Sequence, residues 1–179
     1  MKVTRNSVFE TNSSSVHTIT LGKTNKNLKA NPEDAKRIHS FELNFRMYEW
    51  GPDTVYTPWG KVSYLMAAIW CTDGYNAISD DSDIWICDSK MIPKAMEYII
   101  NSDGMKLIQE AINDYYGKEI ELVWNDTSCA PHIDHQSIED YKSFDEFLKD
   151  NDLDGVDKLR NFIFDDGSYI IVGNDNGSY

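Results

Sequence analysis

Asp103-Gly-Met-Lys-Leu-Ile-Gln-Glu-Ala-Ile-Asn-Asp-Tyr-Tyr-Gly117, followed by Lys118-Glu-Ile-Glu-Leu-Val-Trp124, changes period within one short segment. Leu107, Ile108, Ala111 and Ile112 recur at helical spacing, and Asp103 stands where an N-cap is expected. Gly117 follows as a helix-ending glycine, because the residue after the last turn commonly adopts a left-handed conformation. Beyond it, Glu119 to Trp124 is rich in β-branched and aromatic residues and predicts a strand. A helix and a strand joined by one glycine place the chain among proteins that mix both elements.

Working outward, Met91 to Asn101 predicts a preceding helix with Met96, Ile99 and Ile100 on one face. Tyr56 to Cys71 predicts a mostly buried helix: Trp59, Val62, Leu65, Met66, Ile69 and Trp70 recur at helical spacing, and Pro58 sits near the start where its missing N–H is tolerated. Ser40 to Trp50 alternates Phe41, Leu43, Phe45 and Met47 with polar residues, the period of a half-buried strand, before Gly51-Pro52-Asp53 breaks it. Val16 to Leu21 predicts the first strand, and Lys23 to Pro32 a polar loop. Ile84 to Cys87 is a short strand or an apolar anchor.

On the C-terminal side the chain is loop-like after Asn125, until Ser143-Phe-Asp-Glu146 forms a capping box that starts a short helix. Asn151 to Asp154 turns into a second helix, Val156 to Phe164. Asp165-Asp-Gly167 then turns into the strand Ser168 to Val172. With no repeat and no linker-like tract, this order predicts one α+β domain over residues 1–179, with a mixed or antiparallel sheet and several short helices.

Composition sets outer limits. A chain of 179 residues, 41% apolar and 12% aromatic, can bury roughly 70% of its unfolded surface and fold without staples. Its longest apolar run, Tyr64 to Cys71, falls well short of the roughly 20 residues of a membrane span. Lys2, Arg5, Asn6 and Glu10 interrupt any signal-peptide core, and Cys71, Cys87 and Cys129 make no disulfide pattern. A reduced, cytoplasmic protein with no membrane contact is expected.

Charge is regional. Residues 1–72 hold nine Lys/Arg and six Asp/Glu, whereas residues 73–179 hold eight and twenty-four. Such a surface repels nucleic acid, whose binding draws affinity from Lys/Arg displacing counterions. It can instead mimic a phosphate backbone and dock on a basic channel of another protein, or simply keep the chain soluble. The densest acidic stretch comprises Glu139, Asp140, Asp145, Glu146, Asp150, Asp152, Asp154 and Asp157, broken by Phe144, Phe147, Leu148 and Leu153. With the apolar residues inward and the acids outward, it is the best candidate for an electrostatic docking surface.

Three other groups carry chemistry. Asn12, Ser13, Ser14 and Ser15 with His17 form a candidate anion-binding or active-site loop, since small residues leave backbone N–H groups accessible and a Ser beside a His can be activated. The stretch lacks the glycines and lysine of a phosphate loop, so a turn bonded to its own backbone is the competing reading. Cys129, His132 and His135 are ligand types that zinc accepts, at spacings of three, but no fourth ligand lies nearby; without zinc, no cofactor is expected. Asp80, Asp81, Asp83 and Asp88 lack the Gly and Glu spacing of a calcium loop and predict a solvated turn.

Arg5-Asn-Ser-Val-Phe-Glu-Thr-Asn-Ser-Ser-Ser-Val-His17 resembles the N-terminal signature of a set of uncharacterised proteins encoded by bacteriophages and prophages of Gram-positive bacteria. These open similarly with an Arg, then Phe-Glu-Thr-Asn-Ser-Ser-Ser, then a His one residue on; Asp134-His-Gln-Ser137 is a second point of likeness. The resemblance implies a phage or mobile-element origin and no defined activity. Small acidic phage proteins often resemble inhibitors of host defence, including anti-CRISPR proteins. The leading expectation is therefore a non-enzymatic inhibitor of a host defence protein such as an RNA-guided nuclease. Its alternatives are a hydrolase or group-transfer enzyme joining Ser13 to His17 with Cys129, His132, Asp134 and His135, and a homodimeric structural or regulatory phage protein using Tyr48, Trp50 and Trp59.

Overall fold

The computed structural model describes residues 15–23, 27–48, 53–74, 90–125, 127–133, 138 and 141–174. Residues 5–14 of the phage-like signature, the 80–88 acidic turn with Ile84 to Cys87, Asp134 to Ser137, and Glu139 with Asp140 lie outside the described residues. The chain is a single-domain α+β fold. Its strands are β1 Ser15–Thr20, β2 Ser40–Leu43, β3 Met47–Tyr48, β4 Asp53–Val55, β5 Glu121–Trp124, β6 His132–Ile133 and β7 Tyr169–Asn174. Its helices are α1 Pro32–Arg37, α2 Pro58–Ile69, α3 Met91–Asn101, α4 Asp103–Tyr116, α5 Phe144–Asp150 and α6 Val156–Phe164, and a π turn, Trp70–Gly74, extends α2. No helix among the described residues is long and apolar enough to cross a membrane.

Among the described residues the strands form three small sheets. β7 lies between β1 and β4, antiparallel to both, while β2 pairs with β5 and β3 with β6, each in parallel. The expected long strand from Ser40 to Trp50 is thus divided. Phe41, Leu43 and Phe45 point inward on the predicted period, but the run pairs first with Glu121–Trp124 and then with His132–Ile133. Across this change of partner the phase slips: Tyr48 is buried and Met47 is 40% exposed. The β6 partner itself falls in a stretch that reads as loop.

α2 is the centre of the core. Every residue from Gly60 to Ile69 is buried, and the helix touches β2, β6, α4, α5 and α6. Thr57 caps it by accepting from the Gly60 N–H, with Pro58 in the first turn as expected. Trp59, expected inward, is 56% exposed. In α3 the buried face is Met91, Ala95 and Ile99, and Ile100, also expected inward, is 52% exposed.

α4 starts one residue earlier in its cap than the sequence suggests. Ser102, rather than Asp103, is the N-cap; its hydroxyl accepts from the Met105 N–H at 3.0 Å, leaving Asp103 in the first turn where its charge faces the positive helix end. Gly117 closes the helix at φ 66°, donating its N–H to the Asn113 carbonyl. Asn113 also accepts from the Ile120 N–H at 2.9 Å, so the side chain that ends α4 sets the entry to β5.

Candidate functional site

The helix pair α5–α6 carries the acidic stretch. Ser143 accepts from the Glu146 N–H at 3.2 Å, and the Glu146 carboxylate accepts from the Lys142 N–H at 2.8 Å, one residue before the partner of a standard capping box. Phe144, Phe147, Leu148 and Leu153 are buried, and Asp145, Asp150, Asp152, Asp154 and Asp157 are exposed; Glu146 is half-buried. The amphipathic reading of this stretch therefore holds over its described residues. Asp152 takes the left-handed conformation at φ 57°, which Asp tolerates better than most residues.

Local cations organise these carboxylates. Lys158 bridges Asp152 at 2.6 Å and Asp154 at 2.7 Å, Lys149 meets Asp145 at 2.5 Å, and Arg160 meets Asp157 at 2.6 Å. Bonding to Asp152 and Asp154 raises the Lys158 pKa, and the same contact lowers that of Asp154. Three cations thus meet four of the six described acids of the stretch, leaving a smaller surplus of negative charge than the sequence count suggests. Exposed pairs of this kind add little stability. What they do is fix the direction in which the turn presents its carboxylates.

Beside α5 lies a cleft of about 570 Å³ whose lining includes Asp73, Tyr98, Asn101, Asp103, Ser143 and Asp145. Asp73 comes from the π turn and accepts from the Phe144 N–H at 3.2 Å, so it helps satisfy the start of α5. Burial raises its pKa, against the hydrogen bond from Phe144. Burial likewise raises the Tyr98 hydroxyl, with the Asp73 charge adding to the shift. Three carboxylates make the cleft hostile to anions and extend the acidic face of α5.

The other sequence candidates are dispersed. Asn12, Ser13 and Ser14 lie outside the described residues; Ser15 begins β1 opposite Asn174, and His17 sits opposite Val172. The His17 Nδ1 is 3.0 Å from the Tyr64 hydroxyl on α2, which ties β1 to the core helix. His132 opens β6 and donates its backbone N–H to the Arg46 carbonyl at 3.2 Å, and Cys129 is half-buried; His135 lies outside the described residues. Among the described residues no group of three His, Cys, Asp or Glu is placed to hold a metal ion. Cys71 accepts from the Ile133 N–H at 3.4 Å, and burial pushes its thiol up to about 12, which makes it a poor nucleophile.

Two chemically capable residues were not singled out by sequence. Asp73 follows the helical run directly, and nothing in its neighbours announces the π turn. Lys61 interrupts the apolar run of α2 and is a visible signal. It is 1% exposed, and its amine donates to the carbonyls of Asp165 at 2.9 Å and Ile163 at 3.3 Å, at the end of α6 where the last carbonyls have no partner within the helix. Burial lowers its pKa from 10.5 to about 8, against the carboxylates of Asp165 and Asp166.

A base held below its unfolded value binds fewer protons folded than unfolded between about pH 8 and 10.5. Its unfavourable charging is therefore complete below pH 8 and is relieved as pH rises through that window. The urea midpoint of the native protein is expected to rise between about pH 8 and 10.5 relative to that of Lys61→Met, the interval where linkage of this single amine acts. Parallel pH profiles for the two proteins would assign Lys61 an ordinary pKa.

No family model matches the chain, and neither a curated protein nor a solved structure matches it.

Proposed function

We propose that the chain is a non-enzymatic binding protein of phage origin, acting in the bacterial cytoplasm, whose acidic α5–α6 face docks on the basic nucleic-acid channel of a host defence protein. An RNA-guided nuclease, inhibited in the manner of an anti-CRISPR protein, is the leading target. The observation that carries this reading is the set of five exposed carboxylates on one helix–turn–helix, backed by a buried Phe/Leu layer and adjoined by the Asp73 cleft. Carboxylates held in fixed directions can occupy Lys/Arg positions that otherwise contact phosphates. The phage origin draws its support from the resemblance of Arg5 to His17.

The test is the affinity for an RNA-guided nuclease, measured with and without the double change Asp150→Lys, Asp154→Lys. Both positions are exposed, so the fold should tolerate them. The variant is expected to bind at least about tenfold more weakly near 0.15 M salt, and native binding should fall as salt rises, because screening shortens the reach of exposed charges. A complex that survives both high salt and charge reversal would remove the acidic face from the mechanism.

A further inference from the structure

A second cleft, of about 370 Å³ and sharing no lining residue with the first, opens between β2, the first turn of α2 and the C-terminal ends of α4 and α6. Its wall is a cluster of rings. Tyr115 stacks on Phe164 with centroids 3.7 Å apart and planes within 2°, Tyr116 meets both edge-on at 5.0 and 5.7 Å, and Phe41 stands edge-on to Phe164 at 6.4 Å. Trp59 lies at the rim, the residue of α2 that the core does not take up. At 56% exposure it keeps an indole in water immediately before ten consecutive buried residues.

The charge of this cleft has one sign. Glu42 and Asp166 are its charged lining groups, and no Lys or Arg lines it among the described residues. Both tyrosine hydroxyls report the same field. Burial is the first cause that raises them; the charges of Asp166 and Asp34 at Tyr115, and of Tyr115 and then Asp34 at Tyr116, raise them further. The buried Lys61, which does not line the cleft, directs its amine onto the carbonyls of Ile163 and Asp165. Glu42 accepts from the Asn125 amide at 3.0 Å, which holds its carboxylate in place.

Aromatic rings flanked by carboxylates select a cation: the ring quadrupole and the negative charges act in the same direction. A planar guanidinium exploits both, because it stacks on an aromatic face while donating to a carboxylate from its edge. The volume sits near the lower end of ligand pockets, a size for one long side chain rather than an extended ligand. We infer that this cleft receives an arginine side chain presented by a basic protein segment, with Trp59 as the stacking surface and Glu42 and Asp166 as the acceptors. The site uses none of the carboxylates of the α5–α6 face, so it stands or falls separately from the function proposed above.

The full chain is titrated with a hexapeptide alternating Arg and Gly, and with its citrulline counterpart, which keeps the shape of the side chain and loses the charge. The Trp59 indole N–H resonance, assigned from Trp59→Phe, is followed by NMR. The arginine peptide should shift this resonance saturably, and the citrulline peptide should bind at least tenfold more weakly. Glu42→Gln with Asp166→Asn should weaken the arginine peptide at least fivefold, while Asp150→Asn with Asp154→Asn should leave its effect on Trp59 unchanged. All four substituted carboxylates are exposed, and an unchanged thermal transition verifies the fold. Equal binding of the two peptides, an unmoved Trp59 resonance, or native affinity in the Glu42/Asp166 variant would each overturn the assignment.

Discussion

Replacing Asp114 with alanine is expected to destabilise the fold by about 3 kcal/mol, near the lower end for breaking a buried ion pair. Asp114 is itself only partly buried. Its importance comes from Arg160, which lies on α6 at 2% exposure and donates from Nη1 to the carboxylates of Asp114 and Asp157, and from Nη2 to Asn161 at 3.2 Å. Lys29 joins the same carboxylate at 2.5 Å and also donates to the Asp114 backbone carbonyl at 2.7 Å. Hydrogen bonding from Lys29 and then Arg160 lowers the Asp114 pKa. Without Asp114 the guanidinium retains Asp157 on its own helix, but the link from α6 to α4 and to Lys29 is lost. The buried guanidinium then leans on Asp157, whose side chain is 82% exposed, and an under-compensated buried charge is what makes such a deletion expensive.

Arg160→Met in the Asp114→Ala background should therefore recover much of the loss, because it removes the stranded charge and fills its space with apolar atoms. The readout is a double-mutant cycle on urea denaturation. If the two changes are additive, or if Asp114→Ala alone costs less than about 1 kcal/mol, Arg160 does not depend on this pairing. The acid limb gives a second check. A carboxyl held below its usual range contributes stability above its unfolded pKa that is lost as pH falls through its folded value, so Asp114→Ala should flatten the acid-induced loss of stability.

This network shows what the sequence hides. Asp114 and Arg160 are 46 positions apart, and each reads as an ordinary helix-surface charge. Features set within a few residues were legible: the Ser143 cap, the Pro58 start and the Gly117 stop follow from local hydrogen-bonding needs and backbone sterics. The amphipathic split of Phe144, Phe147, Leu148 and Leu153 from the neighbouring acids was legible for the same reason. Features set by partners distant in sequence were not. Met47 and Tyr48 exchange faces because β3 leaves the β5 register for β6, and Trp59 joins the lining of a cleft whose rings Phe164 and Tyr115 come from α6 and α4. For the candidate site, the carboxylates were visible in the sequence. Their clamping by Lys158, and the arrival of Asp73 beneath α5, depend on tertiary packing.

The second large effect is expected at Trp70, where α2 widens into the π turn. Trp70 is the largest of the fully buried side chains, packing edge-on against Tyr98 with centroids 6.1 Å apart. Gly74 closes the other approach: a Cβ there would lie 2.4 Å from the indole Cε3, so the glycine is what admits the ring. Truncation leaves a cavity that rigid α2 and the neighbouring α3 can refill only in part, so Trp70→Ala should cost about 4 kcal/mol, within the span for buried aromatic truncations. The indole N–H, however, is buried and finds no hydrogen-bond partner among the described residues. Trp70→Phe removes that unsatisfied donor while keeping most of the apolar volume, and should cost no more than about 1.5 kcal/mol. The contrast bears on the site, because the turn that seats Trp70 also carries Asp73 to the Phe144 N–H. Near-UV circular dichroism alongside denaturation of both variants should show the α5 region loosened in Trp70→Ala and preserved in Trp70→Phe. Equal losses in the two variants would mean that the indole N–H has a partner and that ring volume is not what holds the π turn.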